Sequence, residues 1–220
     1  DDAQLKEKRH PTADDLDQVS KDQPVLIMHQ SGHLASANHK ALELLNINQN
    51  TKNPDGGVIR RVGNTQVPNG VLEESLVVSA MMQAFKTVPP HIMLNMAQTA
   101  LHTYIKNGFT TVQEGRADRG TAELWKGLAS QQKLPIDLVV YPDLIAEKDY
   151  MLKNGSSTQY QNHYRIGGVK ISLDGSPQGK TAWLTQPYLI PPEGQSKTYR
   201  GYPAYPQQKT VQDAINLAFK

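Results

Sequence analysis

The stretch Gly108–Tyr141, GFTTVQEGRADRGTAELWKGLASQQKLPIDLVVY, carries a strand, a helix and a second strand in succession. Its opening, GFTTVQE (108–114), is rich in the Thr and Val that suit a pleated surface and stops at Glu114-Gly115. From about Thr121 to Gln132 the apolar residues Leu124, Trp125 and Leu128 recur at helical spacing, and LPIDLVVY (134–141) returns to strand character. Two strands separated by a helix make a crossover, the unit of a parallel sheet.

The same alternation extends outward. Before it, His91–Asn107 places Ile92, Met93, Met96, Ala97, Ala100, Leu101, Tyr104 and Ile105 on a helical stripe, with Pro89-Pro90 ahead of it and Gly108 closing it. After it, Val169, Ile171 and Leu173 alternate with Lys170, Ser172 and Asp174, which predicts a strand over Val169–Leu173. Thr210 with Asp213 then opens a helix carrying Val211, Ala214, Ile215, Ala218 and Phe219. Nearer the start, Thr12 and Asp15 form a capping box, PVLIM (24–28) has the character of a short buried strand, and Asn38 caps a helix through Leu45. The expected fold is α/β, either doubly wound or part of a (β/α)8 TIM-type barrel. Three strand ends carry polar residues, His29–His33, Glu114 and the Lys170–Asp174 face, and a barrel gathers such ends around one mouth. The expected organisation is a polar lead-in over 1–23, a partial barrel from 24–45 and 74–220, and an inserted hairpin region over 46–73 lining the substrate side.

A formal charge of +2, from 23 basic and 21 acidic side chains that are well mixed, gives no reason to expect nucleic acid or an anionic membrane as partner. No window approaches the roughly 18 consecutive apolar residues of a membrane span. With no cysteine, a metal would have to be held by His, Asp, Glu or a modified Lys. The compartment, cytoplasm or periplasm, is open.

Lys170 in mid-strand invites three readings: a lysine neutralised by Asp174 or Glu114, a Schiff-base nucleophile of lowered pKa, or a metal ligand once carbamylated by carbon dioxide. His29 and His33 flank the Ser31-Gly32 turn and do not share a helix face, so their spacing of four is no zinc-helix signature. His39 belongs on a helix surface, and His10, His91, His102 and His163 have no supporting neighbours. Glu114 could orient another group, act as a general base or cap Gly115.

Several blocks in order, SGHLASANHKAL (31–42), DGGVIR (55–60), PNGVLEE (68–74), Gly108–Glu114, Val169-Lys170-Ile171, Asp174-Gly175-Ser176 and Thr181-Ala182, resemble the amidohydrolase family 3 of metal-dependent hydrolases. The resemblance implies a (β/α)8 barrel, a divalent metal centre, commonly zinc, and hydrolysis of amide-type C–N bonds in a small-molecule substrate by a metal-activated water. It implies Lys170 as a carboxylated metal ligand, His33 on the substrate side, and Glu114 and Asp174 near the pocket. The His-x-His pair of the family's first strand does not occur here, and its two later histidines and final aspartate are expected beyond Lys220. The chain is therefore expected to be an internal fragment that holds one ligand of the set and is inactive by itself. Exposed sheet edges and apolar helix faces of such a fragment favour self-association, a homo-oligomer, or a repaired arrangement.

Overall fold

The computed structural model describes residues 2–192 and 194–219, and the chain falls into two compact units. The first comprises Asp1–Thr87 and Leu173–Gln207, the second Val88–Ser172 and Gln208–Lys220. Among the described residues no helix is long and apolar enough to cross a membrane.

In the first unit the capping box forms as expected: Thr12 and Asp15 bond reciprocally at the start of α1 (Ala13–Asp17). Next come β1 (Leu26–Met28), β2 (Leu34–Ala37), α2 (His39–Leu44), β3 (Gly57–Arg61), β4 (Pro68–Glu74) and α3 (Ser75–Lys86). The four strands make one antiparallel sheet in the order β1-β2-β4-β3. This corrects two expectations. The run PVLIM is an antiparallel edge strand and not a buried barrel strand, with Ile27 and Met28 46% and 45% exposed. A short apolar run looks alike in either setting, and only its partner distinguishes them. The second concerns 46–73, expected as an inserted hairpin region: β3 and β4 do pair antiparallel, but as part of this sheet. The region supplies the strand that joins β2 to β3, and Leu72 of that strand is fully buried. Pro68, Asn69 and Gly70 have turn character, which masks the strand they open. Ala13, Ala37, Leu42, Ile59, Leu72 and Ala80 form the core of this unit.

The second unit follows the crossover expectation. It contains α4 (Pro90–Lys106), β5 (Thr111–Ala117), α5 (Arg119–Ser130), β6 (Asp137–Pro142), α6 (Lys148–Asn154), β7 (Tyr164–Ile166) and α7 (Gln208–Ala218). Strands β5, β6 and β7 are parallel and adjacent in that order. The Asp118 side chain caps α5 by accepting the Thr121 N–H at 2.7 Å, and Ala122, Trp125, Leu128 and Ala129 turn inward. These residues share a core with Val112, Leu138, Val140 and Ala214.

Among the described residues no barrel closes: a four-stranded antiparallel sheet and a three-stranded parallel one replace the expected (β/α)8 arc. The fold is mixed α/β, and the parallel part is confined to β5, β6 and β7. The strand expected over Val169–Leu173 is also displaced. Strand β7 lies earlier, and beyond Ile166↔Val140 the next pairing is Lys170↔Asp143, four steps along one chain against three along the other. The extra residue is absorbed at Gly167-Gly168, a bulge. A Cβ at Gly167 would run into Val139 Cγ1 and crowd the Tyr141 ring, so only glycine lets the chain pass there. The alternation itself holds over three residues, for Val169 and Ile171 pack on the core while Lys170 is exposed.

Candidate functional site

In the second unit the polar residues gather at the carboxyl ends of the parallel strands, where ligand loops leave such sheets. Asp143, just past β6, is 4% exposed; its Oδ1 accepts the Ile145 and Ala146 N–H groups at 3.1 Å each, and its Oδ2 accepts Arg116 Nε at 2.9 Å. Lys170 is joined to this turn through its backbone: its N–H donates to Pro142 O at 2.8 Å and its carbonyl accepts the Leu144 N–H at 2.9 Å. The side chain of Lys170 is exposed and not buried among charges, as its mid-strand position had suggested. Glu114, on β5 opposite Val140, is half-buried, and burial pushes its carboxyl pKa up. It stands two strands from β7, about 10 Å by sheet spacing. Asp174, expected to share a face with Lys170, belongs to the first unit, where its Oδ2 accepts the Trp183 N–H at 2.8 Å.

The first unit holds the denser polar site, built on the last two residues of β4. Successive strand residues face opposite ways, so Glu73 and Glu74 serve different surfaces. Glu73 pairs with Val58 on β3, and Arg60, two residues along on the same face, reaches it diagonally with Nε at 2.6 Å. Its other oxygen accepts the Tyr202 hydroxyl at 2.7 Å. On the β2 side Leu34 pairs with Glu73, which sets His33 opposite Glu74. The Glu74 N–H donates to His33 O at 2.8 Å, and His33 Nδ1 lies 2.7 Å from Glu74 Oε2. From the far end of the chain, Thr181, fully buried, donates its hydroxyl to Glu74 Oε1 at 2.5 Å. The loop bearing Thr181 approaches closely enough that a Cβ at Gly175 would collide with Thr181 Oγ1 and Glu74 Oε1.

Three blocks singled out in the sequence, SGH, PNGVLEE and DGS…TA, thus meet in one cluster. Glu74 itself had not been identified; the available signal was a pair of carboxylates ending an apolar strand. It also carries backbone strain, with φ 54° and ψ −112° at the junction with α3. Such a conformation costs on the order of 1–3 kcal/mol in a residue with a Cβ and persists only where the surroundings impose it.

The amidohydrolase family model matches residues 1–220. The chain belongs to the amidohydrolase family. It is 28% identical over 192 residues to a putative amidohydrolase, YtcJ, of Bacillus subtilis, which covers 82% of this chain and 34% of that protein. It is 28% identical over 137 residues to an N-substituted formamide deformylase of Arthrobacter pascens, covering 61% of this chain and 25% of the relative. Among solved structures, an uncharacterized metal-dependent hydrolase of Pyrococcus horikoshii superposes with a TM-score of 0.62 at 21% identity, over 96% of this chain and 40% of that one. The chain therefore spans about a third of the length of its curated relatives.

The family directs attention to metal ligands, and the residues present do not by themselves compose a centre. Lys170 is an exposed amine. Among the described residues the metal-ligating side chains that converge are Asp2, His10 and His29, in the first unit. His10 Nε2 and His29 Nε2 lie 3.9 and 3.8 Å from the Asp2 carboxylate. His29 Nδ1 accepts the Ser31 N–H at 3.1 Å and lies 2.9 Å from the Ser31 hydroxyl. The charge of Arg60 also acts on both imidazoles.

That environment has a consequence for stability. Burial, with Arg60 second, lowers the His10 pKa from 6.5 to about 4. As pH falls through this window the unfolded chain takes up a proton that the folded one refuses, so stability drops from about pH 6.5 toward pH 4. The expected loss is on the order of 3 kcal/mol. Urea unfolding of the His10→Gln variant, which lacks the titrating group, should show a flatter profile across this range. Equal slopes for the two proteins would refute the assignment.

Proposed function

We propose that these residues are part of a hydrolase that cleaves an amide-type C–N bond in a small molecule with a divalent metal, zinc foremost. In this reading Lys170, carboxylated, is one ligand, and the remaining ligands come from parts of the protein outside these 220 residues. The observation that carries the proposal is the position of Lys170: within a chain of this family it lies just past β7 and the two-glycine bulge, in a single parallel bridge to Asp143, with its side chain exposed. An exposed lysine amine is open to carbon dioxide, and carboxylation, with loss of the ammonium protons, would convert a cation that repels metals into an anionic oxygen donor. The similarity to an N-substituted formamide deformylase supports a C–N bond as the target. The metal supplies polarisation of the scissile group and activation of water. From the second unit, Glu114, with its raised pKa, contributes a carboxyl that holds a proton more readily than usual; His33, backed by Glu74, is a hydrogen-bonding group of the first unit.

The test uses the protein purified with its metal and an N-alkylformamide as substrate. Lys170→Ala is expected to lower turnover at least about 100-fold and to reduce the bound zinc, since loss of one ligand opens the centre. Peptide mass mapping of the unaltered protein under bicarbonate should show the carbon dioxide adduct on Lys170. Full activity in Lys170→Ala would end the ligand assignment.

A further inference from the structure

Three independent observations meet at Glu74. Its backbone is held at φ 54°, in the region that side-chain-bearing residues avoid. Its carboxylate is engaged on both oxygens, by His33 Nδ1 at 2.7 Å and by the Thr181 hydroxyl at 2.5 Å, from positions 41 and 107 residues away. Finally, the pair is graded in exposure: the carboxylate side chain is 12% exposed and the imidazole 34%. Elsewhere His39 with Asp17 and His163 with Asp137 make the same contact at 2.8 Å, but there the imidazoles are more than half exposed and neither aspartate has a positive φ. Glu74 differs by being clamped, strained and nearly closed off from water.

A carboxylate that accepts from Nδ1 selects the Nδ1–H tautomer and leaves a lone pair on Nε2. We propose that Glu74 is a positioning residue: it fixes His33 in the Nδ1–H form and orients the Nε2 lone pair to accept a hydrogen bond from the N–H of the amide-type substrate. Thr181 holds the second oxygen, so the carboxylate cannot swing away, and the strained backbone at 74 is the local cost of that aim. This assignment rests on the hydrolase reading given above for its substrate, but not for its structural half.

The experiment reads both halves separately. Nitrogen-15 spectra of histidine-labelled protein at pH 8 should show His33 dominated by the Nδ1–H form. In Glu74→Ala the His33 signals should move to a mixture of tautomers while those of His39 and His163 stay in place; Glu74→Gln, whose amide oxygen still accepts, should restore most of the preference. With N-alkylformamide, Glu74→Ala should lose about 10- to 100-fold in kcat/KM, and Glu74→Gln less. A dominant Nε2–H form in the unaltered protein overturns the proposal, and needs no variant to fold. So does an unchanged tautomer ratio in Glu74→Ala, or a changed ratio with full turnover. Absence of formamide turnover in the full-length, metal-loaded protein counts against the hydrolase reading alone, and the tautomer ratio then decides whether Glu74 positions His33.

Discussion

Asn38→Ala is expected to destabilise the first unit by about 4 kcal/mol or more, the largest effect of any single side-chain truncation proposed here. Asn38 is fully buried and uses its whole amide. Its Oδ1 accepts the Ala41 N–H at 2.8 Å, capping α2, and the Val25 N–H at 2.9 Å. Its Nδ2 donates to Ser20 O at 2.8 Å and Gln23 O at 2.9 Å. A lost cap alone costs roughly 1 kcal/mol. The additional loss arises because three more backbone groups are left without partners, at about 1–3 kcal/mol for each that water does not reach. Asn38→Ser should recover the cap and little else. Asn38→Asp is expected to fare poorly as well, since it would set an anionic oxygen against the Ser20 and Gln23 carbonyls. Urea denaturation followed by circular dichroism measures all three; a loss below about 1 kcal/mol for alanine would show that the segment from Ser20 to Val25 docks without this residue.

The second large effect is expected at Glu73. This carboxylate is 4% exposed and neutralises Arg60, whose side chain is 21% exposed, while accepting from Tyr202. Removing one partner of a buried pair strands the other, a loss of about 3–5 kcal/mol. Glu73→Ala should therefore fall in that range. Replacing both charges, Glu73→Leu with Arg60→Leu, should cost much less than Glu73→Ala alone, because no uncompensated charge remains. Thermal unfolding of the single and double variants gives the coupling directly, and additive losses would mean that Arg60 finds solvent on its own. The hydroxyl of Tyr202 offers a second readout. Burial and the adjacent Glu73 hold its pKa far above the ordinary tyrosine value, so an ultraviolet titration of Glu73→Ala should show one tyrosine ionising earlier.

How much of this was legible in the sequence follows the range of the interactions concerned. The Thr12–Asp15 capping box, the Asn38 cap and the helix of Pro90–Lys106 involve residues within a few positions of each other, and they appear as read; the box expected at Thr210 and Asp213 does not, for α7 begins at Gln208 and Asp213 pairs with Lys209. So does the crossover of β5, α5 and β6, where each element is long enough for its period to be unambiguous. Short strands were another matter. PVLIM lacks the length to reveal its partner, and PNGVLEE hides a central strand behind turn-forming residues. At Val169–Leu173 the alternation was correctly seen but assigned to a whole strand, whereas a two-glycine bulge leaves a single bridge at Lys170.

The family match and the mixed α/β character are properties of the sequence itself, because ordered motifs and hydrophobic period survive without reference to any partner. The cluster at Glu74 is not. It exists because β2 pairs with β4 in one register, and because a loop 107 residues distant packs its threonine against that strand end. Shifting that register by one residue would turn His33 and Glu74 to opposite faces. Sequence determined which polar side chains were available; only the tertiary structure decided that His33, Glu74 and Thr181 meet, since strand pairing and loop packing are settled by contacts that no local pattern records.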